Sequence, residues 1–148
     1  MKFNKATTSD IPQLIELLTI LFEQEAEFKP NSNKQKSSLE KILQDPRLGI
    51  FLVVRDNEKI IGSVSLLFTE STALGSKVAI LEDMVLLPFA RGAGLGSQLI
   101  DYAIKEARNE GCRRITLLTD PDNLKAQSCY QKKGFTKSKM LPYRLLLD

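Results

Sequence analysis

The chain has 148 residues, 43% hydrophobic and 26% charged, which is the composition of a soluble globular protein long enough for one real core. A net charge of +3, with basic residues scattered among acidic ones, is too small to argue for nucleic-acid binding. No apolar run approaches the roughly 18 residues of a membrane span. The start, Met1-Lys2-Phe3-Asn4-Lys5-Ala6-Thr7, lacks the apolar stretch of a signal peptide.

Phe3 to Lys5 predicts a short first strand. Thr7-Thr8-Ser9-Asp10 offers capping residues, and Pro12 suits a first helical turn. Ile11, Leu14, Ile15, Leu18, Leu21 and Phe22 recur at helical spacing and predict a helix to about Glu25. Lys29-Pro30-Asn31-Ser32-Asn33 breaks it. Ser37-x-x-Glu40 reads as a capping box for a short second helix, Leu39 to Gln44, ended by Pro46 and Gly49. Ile50 to Val54 predicts a buried strand, Asp56 to Lys59 a hairpin loop, and Ile60 to Phe68 the return strand.

Thr69 to Lys77 reads as a polar, flexible connection, and Val78 to Leu87 as the next strand. A helix follows from Leu95 to about Asn109, terminated by Gly111. Arg114 to Thr119 predicts a strand, and Asn123 caps a helix to about Lys132, stopped by Gly134. Phe135 to Lys137 and Arg144 to Leu147 read as closing strands. There is no internal repeat, low-complexity tract or linker, so we expect one domain over 1–148. The order predicts an α/β fold of α+β type, with a mixed sheet flanked by helices and a ligand loop at the C-terminal end of a strand.

The stretch from Leu81 to Gly96 is the most informative. Two adjacent carboxylates, Glu82 and Asp83, lie in an apolar strand that runs through Pro88 into Arg91-Gly92-Ala93-Gly94-Leu95-Gly96. Glycines let a backbone approach an anion closely, and the following helix N-terminus presents unpaired N–H groups. A P-loop is excluded, because Gly96 is followed by Ser97-Gln98 rather than Lys-Ser/Thr. A dinucleotide loop is a near miss, because Ser97 stands at its last glycine and the preceding strand carries Glu82 and Asp83. A flexible glycine turn that binds nothing is the remaining alternative.

The chain contains no histidine. That removes Ser-His-Asp and Cys-His schemes and leaves acid–base work to carboxylates, Tyr, Lys, Cys or water. Cys112 and Cys129 form no zinc or disulfide pattern and read as buried or half-buried thiols, with a cytoplasmic address as the default. Asp120-Pro121-Asp122-Asn123 starts like a calcium loop. Lys125 and Gln131 replace its required Gly and Glu, so no metal is expected.

Arg91-x-x-Gly94-x-Gly96, preceded by Val85-Leu86-Leu87-Pro88, resembles the coenzyme A loop of the GNAT superfamily of acyl-CoA N-acyltransferases. Asn123-x-x-Ala126-x-x-x-Tyr130-Gln131-Lys132-Lys133-Gly134-Phe135 resembles that superfamily's second signature. Ala93 replaces a common long polar residue, and the aromatic that often precedes the Arg is displaced to Phe89. The resemblance implies a GNAT-like domain with a mixed, mostly antiparallel sheet. In it the strand ending at Pro88 splays from the strand starting near Arg114, to form a coenzyme A cleft.

The resemblance also implies acetyl-CoA as co-substrate. Backbone groups of Met84, Val85 and Leu86 would bond the acyl-pantetheine arm, one N–H polarising the thioester carbonyl. Amides of Gly92, Ala93, Gly94, Leu95, Gly96 and Ser97 would hold the pyrophosphate beside Arg91. Asn123, Ala126 and Tyr130 would complete the coenzyme side, with Tyr130 protonating the leaving thiolate.

An alkyl ammonium, of pKa about 10.4, must lose a proton before it attacks, and Glu82 or Asp83 is placed to take it, directly or through water. Leu81-Glu82-Asp83 resembles the diamine and glucosamine-phosphate branch of the superfamily, and that resemblance implies Glu82 as the base. Adjacent strand residues face opposite sides unless a bulge intervenes. Glu25, Phe28, Asp83 and Asp120 are candidate contacts to the acceptor. The expected activity is acetylation of a small-molecule primary amine. A protein or peptide amine, or a non-catalytic acyl-CoA-binding module, are the alternatives. Neither nucleic acid nor membrane is expected as partner. The sequence itself is silent on oligomeric state, and the resemblance implies only that a homodimer is open to it, since superfamily members are often dimers.

Overall fold

The computed structural model describes residues 1–25 and 29–147. The chain divides into two compact units, Met1–Leu118 and Thr119–Asp148. The first holds strands β1 (Lys2–Lys5), β2 (Gly49–Asp56), β3 (Lys59–Ser71), β4 (Ser76–Leu86) and β5 (Ile115–Leu117), with helices α1 (Ile11–Gln24), α2 (Ser32–Gln44) and α3 (Leu95–Asn109). The second holds helix α4 (Leu124–Lys132).

The sheet order is β1-β2-β3-β4-β5. The first three pairings are antiparallel, and β4 with β5 is parallel. The expected mixed, mostly antiparallel sheet is therefore present. In β2 every residue from Gly49 to Val54 is buried, and in β3 every residue from Ile60 to Leu66. β2, covered on both faces, reads as a continuous apolar run, whereas the buried stretch of β3 includes Gly62, Ser63 and Ser65. Leu14, Leu17 and Leu18 of α1 and Leu39 of α2 cluster with Phe51, Val53, Ile61 and Val85. Leu99, Ile100, Ala103 and Ala107 of α3 are buried, and α3 packs on β2, β3 and β4. Each such leucine adds roughly 2 kcal/mol of burial. The amino end is pinned by polar contacts. The Asp10 carboxylate accepts from Thr7 N–H at 2.9 Å and from Arg55 at 2.7 Å. Burial pushes the Asp10 carboxyl up, but these two donors hold it below its usual value.

Three expectations about elements are corrected. The second helix begins at Ser32, not Leu39, because the Asn31 side chain accepts the Lys34 N–H at 3.1 Å and caps it there. Ser37 and Glu40 lie inside the helix and form no cap. The stretch from Thr69 to Lys77 is not a loose connection. Ser71 pairs with Ser76 across a tight turn at 72–75, where Gly75 has φ of +62°. Its polar residues reflect strands that extend beyond the apolar core, with Ser71 the buried residue at the turn. Finally, 135–137 and 144–147 form no strands. Leu145, Leu146 and Leu147 are an unbroken apolar run without alternation, which does not specify a strand. They are 83–90% exposed.

Candidate active site

The carboxylate pair owes its geometry to a break in the β3–β4 ladder. Ser63 pairs with Val85, but Ser65 pairs with Glu82, so Asp83 and Met84 together face Val64. This is a β-bulge, with Asp83 left-handed at φ +54°. Asp is among the few non-glycine residues that adopt this conformation readily. The Ser65 hydroxyl donates to the Glu82 carbonyl at 3.1 Å and ties the bulge to β3. Regular alternation would send adjacent side chains to opposite faces. The bulge instead leaves both Glu82 and Asp83 lining one cavity of about 340 Å³.

That cavity is walled by Leu18 and Phe22 of α1, Leu39 and Ile42 of α2, Phe51 of β2 and Leu67 of β3. Its polar lining beyond the carboxylates is Lys34, Gln35, Ser38 and Ser65. Burial, and then the charges of Glu82 and Glu25, push the Asp83 carboxyl up from 3.8 to about 7. Glu25 therefore acts electrically on Asp83. Phe28 lies outside the described residues. Sequence reasoning missed Lys34, Gln35 and Ser38 because it started the second helix too late. The available signal was Asn31 as cap, with Gln35, Leu39 and Ile42 at helical spacing behind it.

Beyond the cavity, β4 turns through a single 3₁₀ turn, Pro88–Ala90, into the glycine loop. The Arg91 side chain donates to the Leu86 carbonyl at 3.1 Å, which fixes it beside the loop. Gly92 and Gly94 have φ of +86° and +83°. A Cβ built on either meets no atom within 4 Å, so one side of the loop is open. Gly94 is the N-cap of α3, which leaves the first N–H groups of that helix, from Leu95 through Ser97, without intrahelical partners. Ala93 adds one more amide to this turn. The loop thus meets the backbone demands of an anion cradle. The parallel ladder between β4 and β5 ends at Leu81↔Leu117, whereas β4 continues to Leu86. Met84, Val85 and Leu86 therefore lie past the last residue that β5 pairs.

In the second unit the Asn123 side chain accepts the Ala126 N–H at 3.2 Å and caps α4. The other end of that helix explains the Tyr130…Gly134-Phe135 spacing. Gly134 has φ of +101°, its N–H donates to Gln131 O, and Phe135 N–H donates to Tyr130 O at 3.1 Å. These are the two bonds of a Schellman cap, and the accompanying apolar contact is the Tyr130–Phe135 ring pair, with centroids 5.8 Å apart. Burial, with a smaller contribution from Cys129, pushes the Tyr130 phenol up, so it keeps its proton at neutral pH. The carbonyl of Asp120 accepts from Asn123 N–H and from the Gln127 side chain. Asp120 is thus an exposed residue of the loop that enters α4. Cys112 and Cys129 are free, half-buried thiols.

The sequence profile described as "Acetyltransferase (GNAT) family" matches residues 12–135. The uncharacterized N-acetyltransferase YhfO of Bacillus subtilis is 30% identical over 141 residues, covering 91% of this chain and 89% of that protein. The aminoalkylphosphonate N-acetyltransferase of Salmonella typhimurium is 27% identical over 133 residues, covering 90% and 83%. Among solved structures, a predicted acetyltransferase with acetyl-CoA from Clostridium acetobutylicum superposes with a TM-score of 0.80. It is 20% identical and covers 97% of this chain and 95% of its own, a likeness of fold. With a matching profile over most of its length and a relative of this identity spanning nearly all of both chains, the protein belongs to the GNAT acetyltransferase family and is an N-acetyltransferase.

Proposed function

We propose that the protein transfers an acetyl group from acetyl-CoA to the primary amine of a small molecule, with Asp83 as the proton acceptor and Glu82 as its electrostatic partner. The observation that carries this reading is the bulge, which turns two adjacent carboxylates into one cavity of small-molecule size. The cavity has apolar walls and a negative end, which suits an alkyl ammonium. The Salmonella relative, named for a small phosphonate-bearing amine, supports a small-molecule acceptor.

The mechanism follows from proton affinities. A bound ammonium near pKa 10.4 faces a carboxyl near 7, so the transfer is uphill by about three units rather than about six. Asp83 thus remains a usable base while matching the neutral range where general bases work best. The co-substrate supplies the activated acetyl group. The amides from Gly92 to Ser97 hold its pyrophosphate, with Arg91 as counter-charge. The β4 edge from Met84 to Leu86 aligns the pantetheine arm and polarises the carbonyl. Tyr130, on family resemblance, returns a proton to the leaving thiolate, and Asn123 and Ala126 complete the coenzyme side. The exposed apolar run at the C-terminus supports a homodimer, which light scattering at micromolar concentration tests. The functional test is free-thiol release from acetyl-CoA with polyamines, amino sugars, aminoglycosides and peptides as acceptors. Turnover confined to small amines supports the reading, and turnover confined to peptides contradicts it.

A further inference from the structure

Gln35 is 7% exposed, and neither its amide oxygen nor its amide nitrogen has a hydrogen-bond partner among the described residues. A buried amide without partners is costly, and folded proteins retain such groups rarely. Gln35 lines the same cavity as Glu82 and Asp83, but from α2 rather than β4. Both amide atoms are shielded from solvent, at the wall of that cavity.

We propose that Gln35 selects the acceptor, which is a primary amine bearing a second, neutral group that both donates and accepts hydrogen bonds, a hydroxyl or a carboxamide. This rests on the small-amine reading given above. The choice follows from what Gln35 offers, one acceptor oxygen and a two-hydrogen donor. A second ammonium satisfies only the oxygen. A carboxylate satisfies only the nitrogen and brings a negative charge to a cavity that already holds two carboxylates. A methyl end satisfies neither. An acidic end group has one competing contact, because the exposed Lys34 also lines the cavity. Preference for an anionic amine would therefore make Lys34 the selector.

The test uses butylamine and its analogues ending in hydroxyl, carboxamide, amine, carboxylate or phosphonate, with thiol release followed for wild type, Gln35→Leu and Gln35→Met. Wild type should favour the hydroxyl and carboxamide analogues over the rest by about tenfold or more in kcat/KM. Both variants should bring the ratios to within about twofold, mainly by losing the favoured substrates. Without amine, both variants should melt at or above the wild-type temperature, because an unpaired buried amide has been removed. The proposal is overturned by a wild-type preference for the alkyl, diamine or anionic analogues. It is also overturned by a preference that survives both substitutions, or by a clear fall in melting temperature in both. Turnover of no amine at all overturns the small-amine reading and this inference together, whereas turnover with the wrong preference overturns this inference alone.

Discussion

The glycine loop and the carboxylate cavity adjoin one strand, yet they are built from different materials. The loop is a backbone device. Its features are two left-handed glycines and the unpaired N–H groups of α3, and its open side is formed without any particular side chain. The cavity is a side-chain device. It depends on a ladder slip in β4, on the start of α2, and on carboxylates whose charges act on one another. The loop should therefore fail through backbone substitutions and ignore pH. The cavity should survive conservative substitutions in shape and fail through protonation.

The largest expected effect is on the loop. Gly94→Val places a branched side chain at φ +83°, a conformation costing about 1–2 kcal/mol for such residues, and blocks the approach of a phosphate. Acetyl-CoA should then give no rise in melting temperature, and activity should fall at least about 100-fold. A normal thermal shift would show that the loop is an ordinary turn. Next is Tyr130→Phe, which removes one proton and keeps the ring that packs on Phe135. We expect kcat to fall about 100-fold with little change in the acetyl-CoA thermal shift. An unchanged kcat would leave the tyrosine as a capping residue alone.

These two sites also show what the sequence made readable. Positive-φ glycines at fixed offsets, such as Gly94 and Gly134, announce their turns because few other residues can stand there. The continuous apolar run of β2 and the amphipathic spacing of α1 and α3 are equally direct. The bulge was not readable, since Leu81-Glu82-Asp83-Met84 carries no mark of which partner each residue meets on β3. The true start of α2 was obscured by a stronger-looking capping box at Ser37, although Asn31 does the capping. The closing strands rest on two short stretches, Phe135 to Lys137 and the leucine-rich Arg144 to Leu147, that specify burial poorly. The cavity-lining residues Lys34, Gln35 and Ser38 are missed along with the first turns of α2.

Smaller effects sharpen the cavity half of the comparison. Glu82→Gln removes a charge that raises the Asp83 pKa, so the alkaline-rising limb of kcat/KM should move to lower pH. Its plateau should fall by about tenfold at most, if Glu82 steers and does not abstract. A loss above about 100-fold that is recovered at alkaline pH would instead make Glu82 the base. Asp83→Asn should act on stability with a definite sign. The folded pKa is raised, so the favourable contribution is complete below pH 3.8 and is lost as pH rises through about 7. The variant should match wild type near pH 4 and melt a few degrees higher above pH 7, by about 1 kcal/mol after allowance for solvent. Asn also tolerates the left-handed conformation at this position, so the bulge should persist. Equal melting temperatures at both pH values would show that Asp83 is not strained by its charge.

The pH profile of kcat/KM for wild type and Asp83→Asn, with the best amine found by thiol release, addresses the central claim most directly. Wild type should rise through an apparent pKa near 7 as Asp83 ionises. Asp83→Asn should bind acetyl-CoA normally, lose about 100-fold or more near neutral pH, and recover only as free amine accumulates toward pH 10. A wild-type limb near 7 that survives unchanged in Asp83→Asn, with activity within a few-fold, would contradict the assignment of the cavity carboxylate as base.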